Sequence, residues 1–231
     1  MAAPRHIQAD PALEEARERI LDAAMPHVAF DGWSRTTLAT GAADAGYDAD
    51  MARRAFPGGG LEAALHHSAR ADTRMLEALE ALPLDDMGTT ATVTAAVRLR
   101  LEQNADNREA VRRALTCFAL PGNAPHAARA LYRTVDAIWH AAGDRSTDHN
   151  FYTKRGLLAA VYGATVIHWL DDTSEGSADT WAFLDRRIAE VLTVPRLLGR
   201  ARRLADGLPS PLRMLRAGAK SAGARPPFGG L

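Results

Sequence analysis

Residues 139–172 read WHAAGDRSTDHNFYTKRGLLAAVYGATVIHWLDD. Two strongly apolar helical patterns meet here across one polar loop, expected over 143–150. From Leu157 to Leu170 apolar residues fall on almost every side, and a helix that is apolar all round is buried on more than one face. At its mouth stand two adjacent aromatics, Phe151 and Tyr152, followed by two cations, Lys154 and Arg155. The stretch therefore predicts a buried helix over about 151–170, in an all-α protein, with an apolar interior meeting a polar surface near its start.

Upstream, Ala128, Leu131, Tyr132, Val135, Ile138, Trp139 and Ala142 follow the i, i+3, i+4, i+7 spacing of a helix over 125–142. Downstream, Trp181, Leu184, Ile188 and Leu192 stripe a helix over about 180–192. The break at Pro121–Pro125 precedes the first of these, after helices expected at about 89–105 and 107–120; residues 83–88 form a loop. At the front, a helix over 11–29 carries Pro26, which should kink or end it, and Gly32 is a terminator. Ser34 can cap a second helix, about 35–45, and a third follows at about 49–55. After Phe56-Pro57 and three glycines a long fourth helix runs to about Leu82. Abundant alanine, leucine and arginine with few β-branched residues favour helix throughout.

A helix followed by two short helices joined by a glycine turn is a helix-turn-helix layout, and this front resembles that of the TetR family of repressors. The third helix opens with Asp48 and Asp50, and residues 34–65 set Arg35, Arg53 and Arg54 against four acids. Phosphate neutralisation supplies most DNA affinity, so an acidic reading head predicts a structural motif and no DNA partner. A ligand-sensing repressor of the TetR type is the alternative function.

The formal net charge of zero hides a split. Residues 195–231 hold eight Arg/Lys against Asp206 alone, a net of +7, which leaves −7 on 1–194. Leu197, Leu198, Arg200, Arg203, Leu204, Leu212, Arg213, Leu215 and Arg216 form a basic amphipathic pattern of the kind that binds membrane surfaces. The expected organisation is a disordered 1–10, a helix-turn-helix-like subdomain over 11–82, a helical ligand-binding body over 83–194, a basic tail over 195–222 and a disordered 223–231. No run of about 18 apolar residues is present to span a bilayer. The N-terminus lacks a signal peptide's apolar region and turns acidic early. The expected home is the bacterial cytoplasm, peripheral to the inner membrane, or the mitochondrial matrix face for a processed eukaryotic form.

No enzyme motif is present. Gly58-Gly59-Gly60 lacks the Lys-Ser/Thr of a phosphate loop. Glu62, His66 and His67 match no metal-ligand spacing, and Cys117 reads as a buried structural thiol. No catalytic residue, metal or cofactor is expected. Phe118, Tyr132, Val135, Ile138, Trp139, Leu158, Tyr162 and Trp169 are core residues or, with Gly156 and Gly163 leaving space among them, the lining of an elongated apolar cavity.

The run GD-R-STD-x-N-F-Y-T-K-R, then L-A-A-V-Y and D-T-W-x-F-L-x-x-R, together with ILDAAMPHVAFDGWS and FPGG nearer the front, resembles the ubiquinone-biosynthesis family known as the ninth Coq protein. The resemblance runs from about Arg19 to Leu192. It implies a TetR-like fold without DNA binding, and a non-enzymatic accessory role. The protein would bind isoprenoid quinone precursors at a membrane and present them to a ring-modifying hydroxylase of the demethoxyubiquinone type. In that family a Trp-Tyr pair on a hydroxylase-binding patch stands where this chain has Phe151 and Tyr152, which with Lys154 and Arg155 become the expected partner surface. TetR-like domains pair through their last body helices, which makes a homodimer through Trp181–Leu192 the expected assembly.

Overall fold

The computed structural model describes residues 10–144 and 149–191, with side chains given for 10–144 and 152–191. All regular structure among them is helical. The front comprises α1 (Pro11–Asp31), α2 (Arg35–Asp44) and α3 (Ala49–Ala55). The body comprises α4 (Gly60–Glu80), α5 (Thr89–Glu102), α6 (Arg108–Phe118), α7 (Ala124–Ala141), α8 (His149–Asp171) and α9 over 178–191. A first compact unit ends at Ile188 and a second begins at Ala189.

Local chemistry fixes the front. The Asp10 side chain accepts the Ala12 amide N–H at 3.1 Å and Pro11 occupies the first turn, where its missing N–H costs nothing. Ser34 caps α2 through the Thr37 amide, and Asp48 caps α3 through the Met51 amide at 2.7 Å. Helix α1 does not end or break at Pro26; it runs on to Asp31 and stops at Gly32, whose φ is 72°. Pro26 and Asp22, the residue whose carbonyl loses its helical partner, both lie on the exposed face. Water can take that carbonyl, while Met25 and Val28 on the opposite face stay buried. Packing therefore holds a helix that local propensity alone would interrupt.

The front core gathers Ile20, Leu21, Ala24, Val28, Leu38, Ala42 and Phe56. Two glycines permit the close approaches. A Cβ on Gly41 would sit 2.6 Å from the Ala24 Cβ, where α1 meets α2, and one on Gly60 would sit 2.2 Å from the Trp33 carbonyl oxygen. In the body, α4 packs on α5 and α7, α7 packs on α8, and α6 touches α1, α4, α7 and α8. Helices α4 to α8 enclose the site.

The first turn of α8 begins at His149, two residues ahead of the 151 expected. The tail and the segments 1–10 and 223–231, for which disorder was expected, lie outside the described residues except for Asp10, the α1 cap.

Candidate functional site: an apolar cavity over a buried ionic floor

Asp72 on α4 and Arg100 on α5 each fall on the buried stripe of their helix, between Ala71 and Met75 and between Val97 and Leu101. Arg100 Nε donates to Asp72 Oδ1 at 2.7 Å. Its Nη1 donates to the Tyr162 hydroxyl on α8 at 2.5 Å, and its Nη2 to the Ser68 hydroxyl at 3.0 Å. Asp72 also accepts from Thr134 Oγ1 at 2.8 Å and from Arg133 Nε at 2.9 Å, both on α7. One charge pair thus ties four helices. Burial alone would lower the Arg100 pKa, but Tyr162 and Asp72 outweigh it and raise it. Burial pushes the Tyr162 hydroxyl up, and its oxygen accepts from Arg100 as a neutral phenol.

Above this floor lies a cavity of about 310 Å³ among α4, α5, α6, α7 and α8. Its walls are apolar: Val111, Leu115 and Phe118 from α6, Leu131 from α7, Val166 and Ile167 from α8. Space is left by small residues, notably Ala64, Ala71, Ala114, Ala127, Ala128 and Gly163. Leu115 is partly exposed and Ile167 is 62% exposed, so the cavity reaches the surface between α6 and α8. Polar atoms at its inner end come from His67, Ser68, Arg100, Asn104, Thr134 and Tyr162.

Of the eight residues expected to bind lipid, Phe118 and Tyr162 line the cavity. Val135, Ile138, Leu158 and Trp169 are buried but belong to the surrounding core; Trp169 lies under the Arg108 guanidinium, 4.6 Å away. Trp139 is also core, with the Lys154 ammonium 5.6 Å from its ring. Tyr132 is 46% exposed and is neither core nor lining. It follows Leu131 by one residue, so it points about 100° away from the cavity. Gly163 opens the cavity as expected, whereas Gly156 lies on the exposed side. The aromatics marked the core well and the cavity poorly, because a void forms where side chains are small.

The expected partner surface divides. Tyr152 is 72% exposed. Lys154 reaches Asp144 at 2.8 Å. Arg155 is buried, with Nε donating to Asp136 Oδ1 at 2.7 Å and Nη1 3.5 Å from Asp144 Oδ2, so it clamps α8 to α7 rather than facing a partner. The Phe151 side chain lies outside the described residues, as do all nine tail residues expected at the membrane: Leu197, Leu198, Arg200, Arg203, Leu204, Leu212, Arg213, Leu215 and Arg216. Of the stripe expected to pair, Trp181, Leu184 and Ile188 are buried, and Leu192 lies outside the described residues.

Glu62, His66 and His67 diverge. The Glu62 carboxylate accepts from Arg17 and from the Gly58 amide, and His66 meets Glu18 at 2.6 Å. His67 turns into the cavity, its ring 5.6 Å from that of Trp33. Burial, helped by the charges of Arg70, Arg74 and Arg100, lowers its pKa to about 3. Cys117 is half-buried, and burial raises its thiol pKa. At the end of α8, burial pushes the Asp172 carboxyl up, but hydrogen bonds from Ser174 and Thr180 outweigh it and hold it well below the usual carboxylate range. Neither the floor nor the cavity role of His67 was expected from the sequence. The usable signal was a charge or imidazole on an otherwise apolar helical stripe.

A helix-turn-helix front on a helical body with a ligand-sized cavity is the architecture of TetR-like proteins. The structure aligns with a TetR transcriptional regulator from Nitrosomonas europaea at a TM-score of 0.64, over 80% of this chain and all of that one, with 24% identity. That likeness establishes the fold. Residues 124–195 match the COQ9 family model. The mitochondrial ubiquinone biosynthesis protein COQ9 of Xenopus tropicalis is 37% identical over 188 residues, which cover 78% of this chain and 59% of that protein. The human COQ9 is 35% identical over the same shares. The family resemblance read from the sequence is borne out, and the chain spans about three fifths of the length of these relatives. The expected bacterial cytoplasmic home is corrected, because these relatives are named as mitochondrial proteins.

Proposed function

We propose that this chain acts in ubiquinone biosynthesis as a non-enzymatic protein. It holds an isoprenoid quinone precursor in the α4–α8 cavity and presents it to a ring-modifying hydroxylase. One observation carries the reading: an apolar cavity of about 310 Å³ that opens between Leu115 and Ile167 in a protein similar to COQ9. A prenylated ring is nearly insoluble in water, and burial of apolar surface returns about 25 cal/mol per Å². A chain of this kind needs an apolar sleeve to leave a bilayer, and the cavity offers one. In this reading exposed Tyr152 and neighbouring Lys154 serve the hydroxylase contact, and the basic tail over 195–222 holds the protein to anionic lipid. The names of the relatives point to a mitochondrial setting.

The repressor alternative draws little from the front. Helix α3 opens on the Asp48 cap, and Arg53 is ion-paired with Asp50. Both features disfavour phosphate contact. The test is native mass spectrometry of the purified protein, with organic extraction of whatever is bound. A co-purifying prenyl lipid is expected from the wild type and its loss from Gly163→Leu, which fills the cavity. A wild type that neither carries nor takes up a prenyl lipid would overturn the proposal.

A further inference from the structure

Two polar side chains at the inner end of the cavity are left unsatisfied by the described residues. His67 is 4% exposed and Asn104 is 2% exposed. Among the described residues, neither ring nitrogen of His67 has a hydrogen-bond partner, and neither does Asn104 Oδ1. Both residues line the cavity, from α4 and from the turn after α5. Buried polar groups are almost always paired, and leaving one unpaired costs roughly 1–3 kcal/mol. We propose that His67 and Asn104 recognise the polar end of the cavity's ligand, and that this end is a neutral hydroxyl, an alcohol or a phenol. The inference rests on the apolar-ligand reading above.

The chemistry of the two groups selects the hydroxyl. Asn104 Nδ2 donates to the Arg100 carbonyl at 2.7 Å. That bond fixes the amide orientation, since a flip would set two acceptors against each other. Oδ1 therefore requires a donor. His67 is neutral, so its ring offers one N–H donor and one bare nitrogen acceptor. A hydroxyl donates to Asn104 and accepts from His67. A carbonyl or ether oxygen can serve only His67 and leaves Asn104 unpaired.

A carboxylate or phosphate fares worse. It brings no donor, and the cation nearest the cavity is already engaged. Arg100 spends its Nε on Asp72, Nη1 on Tyr162 and Nη2 on Ser68. A buried anion would face neutral His67 and the Asn104 oxygen, and the one guanidinium that lines the cavity already has a carboxylate partner in Asp72. The inner end of the cavity thus discriminates by donor count and by charge, while the apolar walls accept any prenyl chain of fitting width.

Three probes sharing one chain test this on the full-length protein: farnesol, farnesyl methyl ether and farnesoic acid at neutral pH, each titrated calorimetrically. The wild type should bind farnesol roughly tenfold or more tightly than either analogue, the ratio expected for one unmade buried hydrogen bond. Asn104→Leu should bring farnesol down to the level of the methyl ether and leave the methyl ether itself unchanged. His67→Phe should weaken farnesol and the methyl ether together, and His67→Gln, which keeps a donor and an acceptor, should restore part of both. Equal affinities for the three probes on the wild type, or a preference for the acid, would overturn the head-group assignment and leave the lipid-binding reading standing. No binding of any probe would overturn both. The wild-type series decides the matter even if a variant fails to fold.

Discussion

Asp72 and Arg100 lie 2.7 Å apart, both buried, and between them they bind side chains from four helices. Removing one partner of a buried pair leaves a charge without compensation, which costs roughly 3–5 kcal/mol. Asp72→Ala should therefore destabilise the protein by about that amount in urea unfolding. Replacing both residues by apolar ones of similar volume should recover much of the loss, because the desolvation of two ions no longer opposes folding. A double variant no more stable than Asp72→Ala would show that the remaining partners, Tyr162, Thr134 and Arg133, carry most of the coupling.

Protonation of His67 should appear in stability against pH. Its pKa is about 6.5 in the unfolded chain and about 3 in the fold. Above pH 6.5 both states are neutral, and the group has no effect on the slope. As pH falls below 6.5 the unfolded chain takes up a proton that the folded chain refuses, so stability is lost at up to about 1.4 kcal/mol per pH unit. The lowered carboxylates Glu18 and Asp172 act below their unfolded values of 4.5 and 3.8, so the window between 4.5 and 6.5, where His67 acts, lies above both. His67→Gln should flatten the unfolding free energy across that window.

Glycines at two positions should respond in opposite ways. Gly60→Ala drives a Cβ into the Trp33 backbone, 2.2 Å away, and neither backbone can move cheaply. We expect a loss of about 2 kcal/mol or more by thermal unfolding. Gly163 lies on α8, and among the described residues nothing comes within 4 Å of where its Cβ would sit. Gly163→Ala should gain up to about 1 kcal/mol from helix propensity, and Gly163→Leu should fold while excluding ligand.

Tyr152→Ala should leave melting temperature and bound lipid unchanged, since the side chain is largely exposed, and should lower quinone production in a complementation assay. Lost lipid in this variant would assign Tyr152 to the cavity mouth instead of a partner surface.

Deleting 195–231 should abolish binding to anionic vesicles and leave helicity and prenyl-lipid uptake intact. Each basic residue near such a surface contributes on the order of 1 kcal/mol, and this segment carries eight. Undiminished vesicle binding would move the membrane contact to the helical body.

The sequence by itself determined most of the helices, because they are written in local chemistry: a cap at Ser34, a terminator at Gly32, and apolar residues at helical spacing along α7 and α8. It also marked the COQ9 likeness, through a run of residues that stays contiguous in the chain. Tertiary structure alone decided where empty space lies and which polar groups face it. Arg155 reads as a surface cation until α7 supplies Asp136. Tyr132 reads as core until the rotation of α7 turns it outward. His67 and Asp72 lie on α4, while Arg100 and Asn104 lie on α5 and the turn after it, a separate stretch of sequence. No spacing rule relates the two pairs, because a cavity floor is a coincidence of helix faces in three dimensions rather than a pattern along one.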